Sequence, residues 1–206
     1  MVPPSWLDWV RRLQTIGRAG NAYSKDPYDL QRFAEVERIA AEILAHHSER
    51  DAGEVLSVLR LESGYPTPKV DVRAVVFDAE RILLVRERSD GRWSLPGGWA
   101  DLGEAAGSVA AREVLEESGF EVRTVKLLAV FDMLRHDHPP QLWHVYKLFF
   151  SCELLGGSSR TSHETSDVGW FEAHALPPLS VDRNTEGQLK RMFQHRTNPD
   201  WPTDFD

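Results

Sequence analysis

The chain has 206 residues, of which 41% are hydrophobic and 27% charged, the composition of a soluble globular protein with room for one large domain or a domain and a smaller attachment. A formal net charge of −8 argues against a general nucleic-acid binder, whose phosphate contacts need a basic face, so long nucleic acid is not an expected partner, whereas a local pocket for a small nucleotide is compatible. The single cysteine, Cys152, rules out an internal disulfide, and with neither a signal peptide nor an apolar run of the ~20 residues that span a bilayer, a cytoplasmic protein with no membrane partner is expected.

Ser5 is placed to cap a first helix, on which Trp6, Trp9, Val10, Leu13 and Ile16 recur with helical spacing. Gly17 and Gly20 are expected to end it. Asp26-Pro27 is a cap followed by a proline that suits a first turn, and it opens a second helix with Leu30, Phe33, Val36, Ala40, Ile43 and Leu44 on one stripe. A third helix is predicted from Glu54 to Leu61, and Gly64-Tyr65-Pro66-Thr67-Pro68 is a stiff linker. Residues 1–62 therefore form a small all-helical module, too small to bury much surface alone. It should pack on the next domain or on a second copy of itself, and a homodimer is expected. Its aromatics, Trp6 and Phe33 among them, suit a helix–helix core or a dimer interface.

From Val70 the period changes to that of strands. Val72–Phe77 and Ile82–Val85 are β-rich runs joined by a turn at Asp78–Arg81. Alternation along residues 83–88 places Arg86 and Arg88 on one face. With Arg73 they flank a glycine-containing segment, and an arginine can grip a phosphate with two parallel hydrogen bonds; ordinary surface ion pairs are the alternative. After the next helix, Val122–Leu134, His144–Phe150 and Val168–Phe171 read as strands, with Cys152 a buried strand residue. The polar connection Arg135–Pro140 carries His136, Asp137 and His138, which lack a second ligand pair at a supporting spacing and read as a loop. Trp99, Phe131 and Trp143 offer aromatic faces on which a base could stack. A last helix spans about Asn184–His195, and the tail from Arg196 is expected to wrap loosely over the surface. Strands alternating with a central and a terminal helix predict a mixed sheet between helices.

The chemistry concentrates between Gly98 and Phe120. Ala110 and Ala111 favour a helix and Gly119 suits the position just past its end. On that helix Glu113, Glu116 and Glu117 stand at i, i+3 and i+4 and project from one face, while Ala111 and Leu115, with Val114 beside them, are free to bury on the other. Three carboxylates ~5–6 Å apart repel, each pair by roughly 3 kcal/mol at an effective dielectric of about 20. A divalent cation removes that cost, and hard oxygen ligands suit Mg²⁺ or Mn²⁺. Taken alone, the three glutamates equally describe a solvated acidic face.

The wider spacing separates the two readings. Gly98, five residues, Glu104, seven residues, Arg112-Glu113, Val114, one residue, Glu116-Glu117, one residue, Gly119 and apolar Phe120 contain seven fixed identities, which at about 7% usage each coincide by chance at about one position in 10⁸. The pattern, with Trp93-Ser94-Leu95-Pro96-Gly97-Gly98 leading into it, resembles the Nudix hydrolase family at every defined position. The resemblance implies an α/β/α sandwich with a mixed sheet over residues 68–206, preceded by the helical module. It implies that Glu113, Glu116 and Glu117 ligate Mg²⁺ or Mn²⁺, or that one of them is the base, with the Gly98 carbonyl completing the inner shell and Glu104 pairing with Arg112. Glu164, in a loop where many members place a further carboxylate, would reach the metal or act as base. Substrate contacts are expected from Arg73, Arg86, Arg88, Trp99 and Phe131. The N-terminal pattern Trp9…Leu13-Gln14…Ile16 and Tyr23-Ser24-Lys25-Asp26-Pro27-Tyr28-Asp29…Arg32-Phe33 resembles a Nudix subgroup of CDP-choline and ADP-ribose pyrophosphatases. The expected activity is hydrolysis of a nucleoside diphosphate linked to a group X, with CDP-choline or a related CDP-alcohol first and ADP-ribose second. A nucleotide-sensing regulator without turnover is the reading from another class, and loss of motif residues would mark it; none is lost. Hydrolysis at the ends of capped or short RNA is a third.

Overall fold

The computed structural model describes residues 4–62 and 64–206. They form two compact units: the helical segment up to Pro68 together with Pro140–Trp143, and Lys69–Pro139 with His144–Asp206.

The first unit holds α1 (Ser5–Tyr23), α2 (Pro27–Ser48) and α3 (Ala52–Leu59). The α2 start follows from its sequence: the Asp26 carboxylate accepts from the N–H groups of Tyr28 and Asp29 at 2.9 and 3.1 Å, and Pro27 occupies the first turn. Asp51 caps α3 in the same way, through Glu54 N–H at 3.0 Å, so α3 begins two residues before the expected Glu54. For α1 the structure corrects the sequence reading. Ser5 lies inside the helix after Pro4, and Gly17 and Gly20 do not end it. They are where α2 comes close: a Cβ on Gly17 would lie 2.6 Å from Cγ of Glu37, and one on Gly20 would lie 2.2 Å from the Phe33 ring. A helical glycine costs about 1 kcal/mol relative to alanine, which close packing offsets. The buried stripe of α2 is made of small residues, Ala40, Ala41 and Ala45, with Val55 and Leu59 of α3 against it. Leu142 packs on this cluster, and the Arg11 guanidinium bonds the carbonyls of Gln141 and Leu142.

The second unit is built on β1 (Lys69–Asp78). It pairs antiparallel with β2 (Arg81–Glu87) and with β4 (Gly97–Trp99), and parallel with β6 (Val145–Gly157). β2 continues to β3 (Trp93–Ser94) and β7 (Thr165–Glu172), while β6 continues to β5 (Phe120–Asp132), which takes β8 (Asp204–Phe205) in parallel. The sheet is therefore mixed, as expected. Alternation along β1 divides the core. Val72, Ala74 and Val76 meet Val109, Ala110 and Val114 of α4 (Ala106–Ser118), and Val75 joins the cluster of Phe131, Phe149, Leu189 and Met192 on the side of α5 (Glu186–Thr197). Helices on both faces make the α/β/α sandwich. The α5 start is a capping box, with Thr185 and Gln188 exchanging bonds at 3.0 and 3.2 Å. No described helix is long and apolar enough to cross a membrane.

The tail is not loose. The Asp204 carboxylate takes Nε and Nη2 of Arg191 at 2.5 and 2.7 Å and lies 2.9 Å from Nε2 of His195. The Lys126 ammonium donates to the carbonyls of Pro199 and Trp201 at 2.8 and 2.5 Å, and the Thr203 hydroxyl donates to Leu127 O at 2.7 Å. The Arg191 hydrogen bond, supported by His195, holds the Asp204 carboxyl down to about 2. The folded value lies below the ordinary 3.8, so this stabilisation is fully present above that pH and lost as pH falls through about 2. Asp204→Asn should cost about 1.5 kcal/mol near neutrality, or roughly 3–6 °C in Tm. The gap from wild type should close between about pH 4 and pH 2 in calorimetric scans.

Candidate active site

The site forms where the segment before β4 meets α4. Gly97 has φ 148°, and a Cβ there would sit 2.0 Å from the carbonyl oxygen of Val72, so only glycine fits. This close seat on β1 lets the Gly97 N–H donate to Oε2 of Glu117 at 2.9 Å. Oε1 of Glu113 lies 3.1 Å from where a Cβ on Gly98 would stand. Two carboxylates of α4 thus converge on two consecutive glycines.

The helix presents its glutamates unequally, which corrects the expected faces. The buried side of α4 is Ala110, Val114 and Glu117, at i, i+4 and i+7, while Leu115 is exposed. Glu117 is only 5% accessible, and burial pushes its carboxyl up to about 8 against the attraction of Arg73 and the Gly97 hydrogen bond. Burial also raises Glu113. Glu116 is exposed. Arg112 gathers the remaining charge: Nη1 lies 3.1 Å from Glu113 and 3.0 Å from Glu116, and Nε and Nη2 donate to Glu104 at 3.2 and 3.0 Å.

Among the described residues, no three histidine, cysteine, aspartate or glutamate side chains converge closely enough to hold a metal ion as they stand. Arg112 is the reason on α4, since it draws Glu113 and Glu116 to itself. The donor set nevertheless fits a hard divalent cation: Glu113 and Glu117 stand beside the Gly97–Gly98 backbone with Glu116 on the same stretch of helix, and burial raises the Glu117 carboxyl to about 8.

Glu164 is exposed beside His163, at 3.2 Å, and its backbone carbonyl accepts from the Arg88 N–H at 2.9 Å. The next residue ties this loop to α4, as the Thr165 hydroxyl donates to the Glu117 carbonyl at 2.7 Å. Arg86 and Arg88 are exposed and bond the carbonyls of Gly91 and Ser162 at 2.8 and 3.3 Å. Trp99 is half exposed, with the Lys69 ammonium 6.0 Å from its ring centroid. Arg73 and Phe131, by contrast, are buried. Arg73 is 4% accessible, with Nε and Nη2 on Asp71 at 2.9 and 2.6 Å. Phe131 is buried against Phe149 and His136. In the expected histidine loop, burial pushes His138 down to about 4, and its Nδ1 lies 2.6 Å from Val181 O.

Sequence reasoning missed Asp71, Lys147 and Asn184. The Lys147 ammonium lies 2.7 Å from Asp71, and Asn184 Oδ1 accepts from Leu95 N–H at 2.8 Å. One signal was present: Asp71 and Lys147 each stand between apolar neighbours, Val70 and Val72 on β1 and Tyr146 and Leu148 on β6, as members of a buried charge pair do.

Residues 4–59 match a family model described as a UDP-X-like, N-terminal oligomerisation domain of Nudix proteins, and residues 67–193 match the NUDIX domain. The chain is 43% identical over 205 residues to the putative ADP-ribose pyrophosphatase YjhB of Bacillus subtilis, covering 100% of this chain and 99% of that one. Among solved structures, an ADP-ribose pyrophosphatase from Streptococcus suis is 39% identical with a TM-score of 0.63, over 68% of this chain and 100% of that one. A UDP-X diphosphatase is 32% identical with a TM-score of 0.64, over 98% of both chains.

At pH 7 a carboxyl raised to about 8 is mostly protonated, so a divalent cation bound by Glu117 must displace its proton. Binding should release about one proton per cation at pH 7, and affinity should rise about tenfold per pH unit up to about pH 8. Isothermal titration of Mg²⁺ in two buffers of different ionisation enthalpy measures both; binding without proton release would refute the linkage.

Proposed function

This chain belongs to the Nudix hydrolase family, and from that premise we propose that it hydrolyses the diphosphate of a nucleoside diphosphate linked to a second group X. The observation that carries the reading is the convergence of the Glu113 and Glu117 carboxylates on Gly97–Gly98. Glu113, Glu116 and Glu117, with the Gly98 carbonyl, are the groups that would hold Mg²⁺ or Mn²⁺. When bound, such a cation neutralises phosphate oxygens and makes water a stronger nucleophile. The residues of the chain do the rest. Arg112, anchored by Glu104, swings between the carboxylates it now pairs and Glu104 alone. In this reading Glu164, on the loop tied to the end of α4 through Thr165, takes the proton of the attacking water, with Glu117 the alternative. Water adds to one phosphorus, the anhydride bond breaks, and a nucleoside monophosphate and a phosphorylated X leave. Arg86, Arg88 and Trp99 are the exposed members of the expected substrate set.

For X, the order changes from the one expected. The relative in B. subtilis, matched over 99% of its length, carries an ADP-ribose name, which favours ADP-ribose over CDP-choline, and the UDP-X-like N-terminal match puts UDP-linked compounds beside it. Phosphatase-coupled phosphate release across ADP-ribose, UDP- and CDP-linked compounds and nucleoside triphosphates tests the proposal. Metal-dependent turnover should be greatest on ADP-ribose, abolished by a chelator, and reduced about 100-fold or more in Glu117→Gln. Turnover of triphosphates alone would overturn the substrate class, and tight binding without any turnover would favour the sensor.

We also propose that residues 1–62 form a dimerisation module and that 68–206 form the hydrolase. Trp9, Ile16 and Tyr23 are exposed at seven-residue spacing, an apolar stripe along one side of α1 that suits a second copy. Light scattering at micromolar concentration should give a dimer, and Ile16→Asp should give a monomer with its melting behaviour intact.

A further inference from the structure

A loop that must present two backbone units to two carboxylates has to be held from below. The segment Ser94–Gly97 is held at every residue by a group outside it. The Ser94 hydroxyl donates to Glu87 at 2.6 Å, and Leu95 N–H donates to Asn184 Oδ1 at 2.8 Å. Pro96 O accepts from Ala74 N–H at 2.9 Å, and Gly97 N–H donates to Glu117 at 2.9 Å. The Leu95 carbonyl accepts from Nη1 of Arg73 at 3.2 Å, which brings a full positive charge to the loop.

Arg73 is itself clamped. The two Asp71 oxygens take its Nε and Nη2 at 2.9 and 2.6 Å, and Oδ2 also receives the Lys147 ammonium at 2.7 Å. All three residues are buried. Strand register puts them there: Asp71 lies opposite Lys147 of β6 and opposite Trp99 of β4, and Arg73 lies opposite Gly97. From this position Arg73 attracts Glu117, Glu113 and Glu87. An arginine so enclosed cannot grip a substrate phosphate without abandoning Asp71 in the interior.

We propose that Asp71, Arg73 and Lys147 are positioning residues for catalysis: Lys147 holds Asp71, Asp71 holds Arg73, and Arg73 fixes the Leu95–Gly98 loop against Glu113 and Glu117. The assignment rests on the metal reading given above. Removing the guanidinium frees the Leu95 carbonyl and leaves the buried carboxylates without their common counter-charge. The loop then presents Gly97 and Gly98 less accurately to the cation-holding carboxylates. Supporting groups of this kind typically contribute about 10–100-fold in metal affinity or activity.

The test compares wild type, Arg73→Met, Arg73→Lys and Asp71→Asn. Mn²⁺ binding is read by electron paramagnetic resonance without substrate, kcat and KM are measured separately, and circular dichroism checks folding. Arg73→Met should bind Mn²⁺ about 10–100-fold more weakly and lose kcat in proportion, with KM within about threefold of wild type. Asp71→Asn should move both readings the same way. Unchanged Mn²⁺ affinity with KM raised alone, the signature of a phosphate contact, would overturn the proposal, as would wild-type values throughout. If Arg73→Met does not fold, Arg73→Lys decides by the same readings: it keeps the charge but loses the fork that reaches Asp71 and Leu95 together, so wild-type values there would also overturn it. A wild-type protein that binds no Mn²⁺ would bring down the metal reading first, and this assignment with it.

Discussion

The approach of Gly97 to β1 sets the terms for the rest of the site. Because its backbone is seated against the Val72 carbonyl, its N–H is carried deep enough to meet a carboxylate from the buried side of α4. That carboxylate, Glu117, must then leave water. Desolvating an ion costs several kcal/mol even after relaxation, and one neutral hydrogen bond does not offset it. The structure answers with Arg73, and an arginine in the interior needs its own partner, which is Asp71. Two fork bonds to Arg73 and one bond from Lys147 then share the two Asp71 oxygens. The paired charges Asp71, Arg73 and Lys147 lie on β1 and β6, and Val72, Ala74, Val75, Val76 and Leu95 around them are buried and apolar.

What could be read in the sequence divides along the same line. Strands β1 and β2, the α2 cap at Asp26 and the end of α4 at Gly119 depend on residues next to one another, and local patterning found them. The glycines of α1 were misread because one residue type serves two ends: Gly17 and Gly20 look like helix stops, but they are where α2 presses closest. The tail was misread because Asp204 finds Arg191, and Lys126 finds the carbonyls of Pro199 and Trp201, only after folding. On α4, the pattern predicts that Ala111 and Leu115, with Val114 beside them, bury as the face opposite the three glutamates. The buried face is instead Val109, Ala110 and Val114 together with Glu117, because one of the glutamates turns inward to Gly97 and does not stay with the other two. Arg73 looked like a ligand residue because arginines near a phosphate-binding loop often are. Its burial follows from strand register, which no single segment contains.

The helical unit follows a different logic. Three short helices of about 50 residues cannot enclose a large core, and theirs relies on alanines, with glycines bringing α1 and α2 together. Small residues give close backbone contact but little apolar area. Larger apolar side chains, Trp9, Ile16 and Tyr23, are left facing outward. A unit with a small core of alanines, Leu7, Val10, Val55 and Leu59 that still leaves Trp9, Ile16 and Tyr23 outside is suited to meeting another surface, in keeping with the oligomerisation model it matches.

Arg112 completes the electrostatic argument from the outside. Glu104, just before α4, and Glu113 and Glu116 in its last turns would repel one another, and the single guanidinium touches all three. Each such pair at the surface is worth little, about 0–1 kcal/mol, but the network lets α4 form with its acids close together before any cation arrives. Because Arg112 holds Glu104 through two N–H groups and the other two acids through one, it can give up Glu113 and Glu116 without leaving its anchor. The exposed half of the acidic cluster is thus balanced by a side chain that can move aside. The buried half is attracted by Arg73, which is fixed on Asp71 and does not offset burial, so the Glu117 carboxyl stays raised to about 8 and a further positive charge would be felt most strongly there.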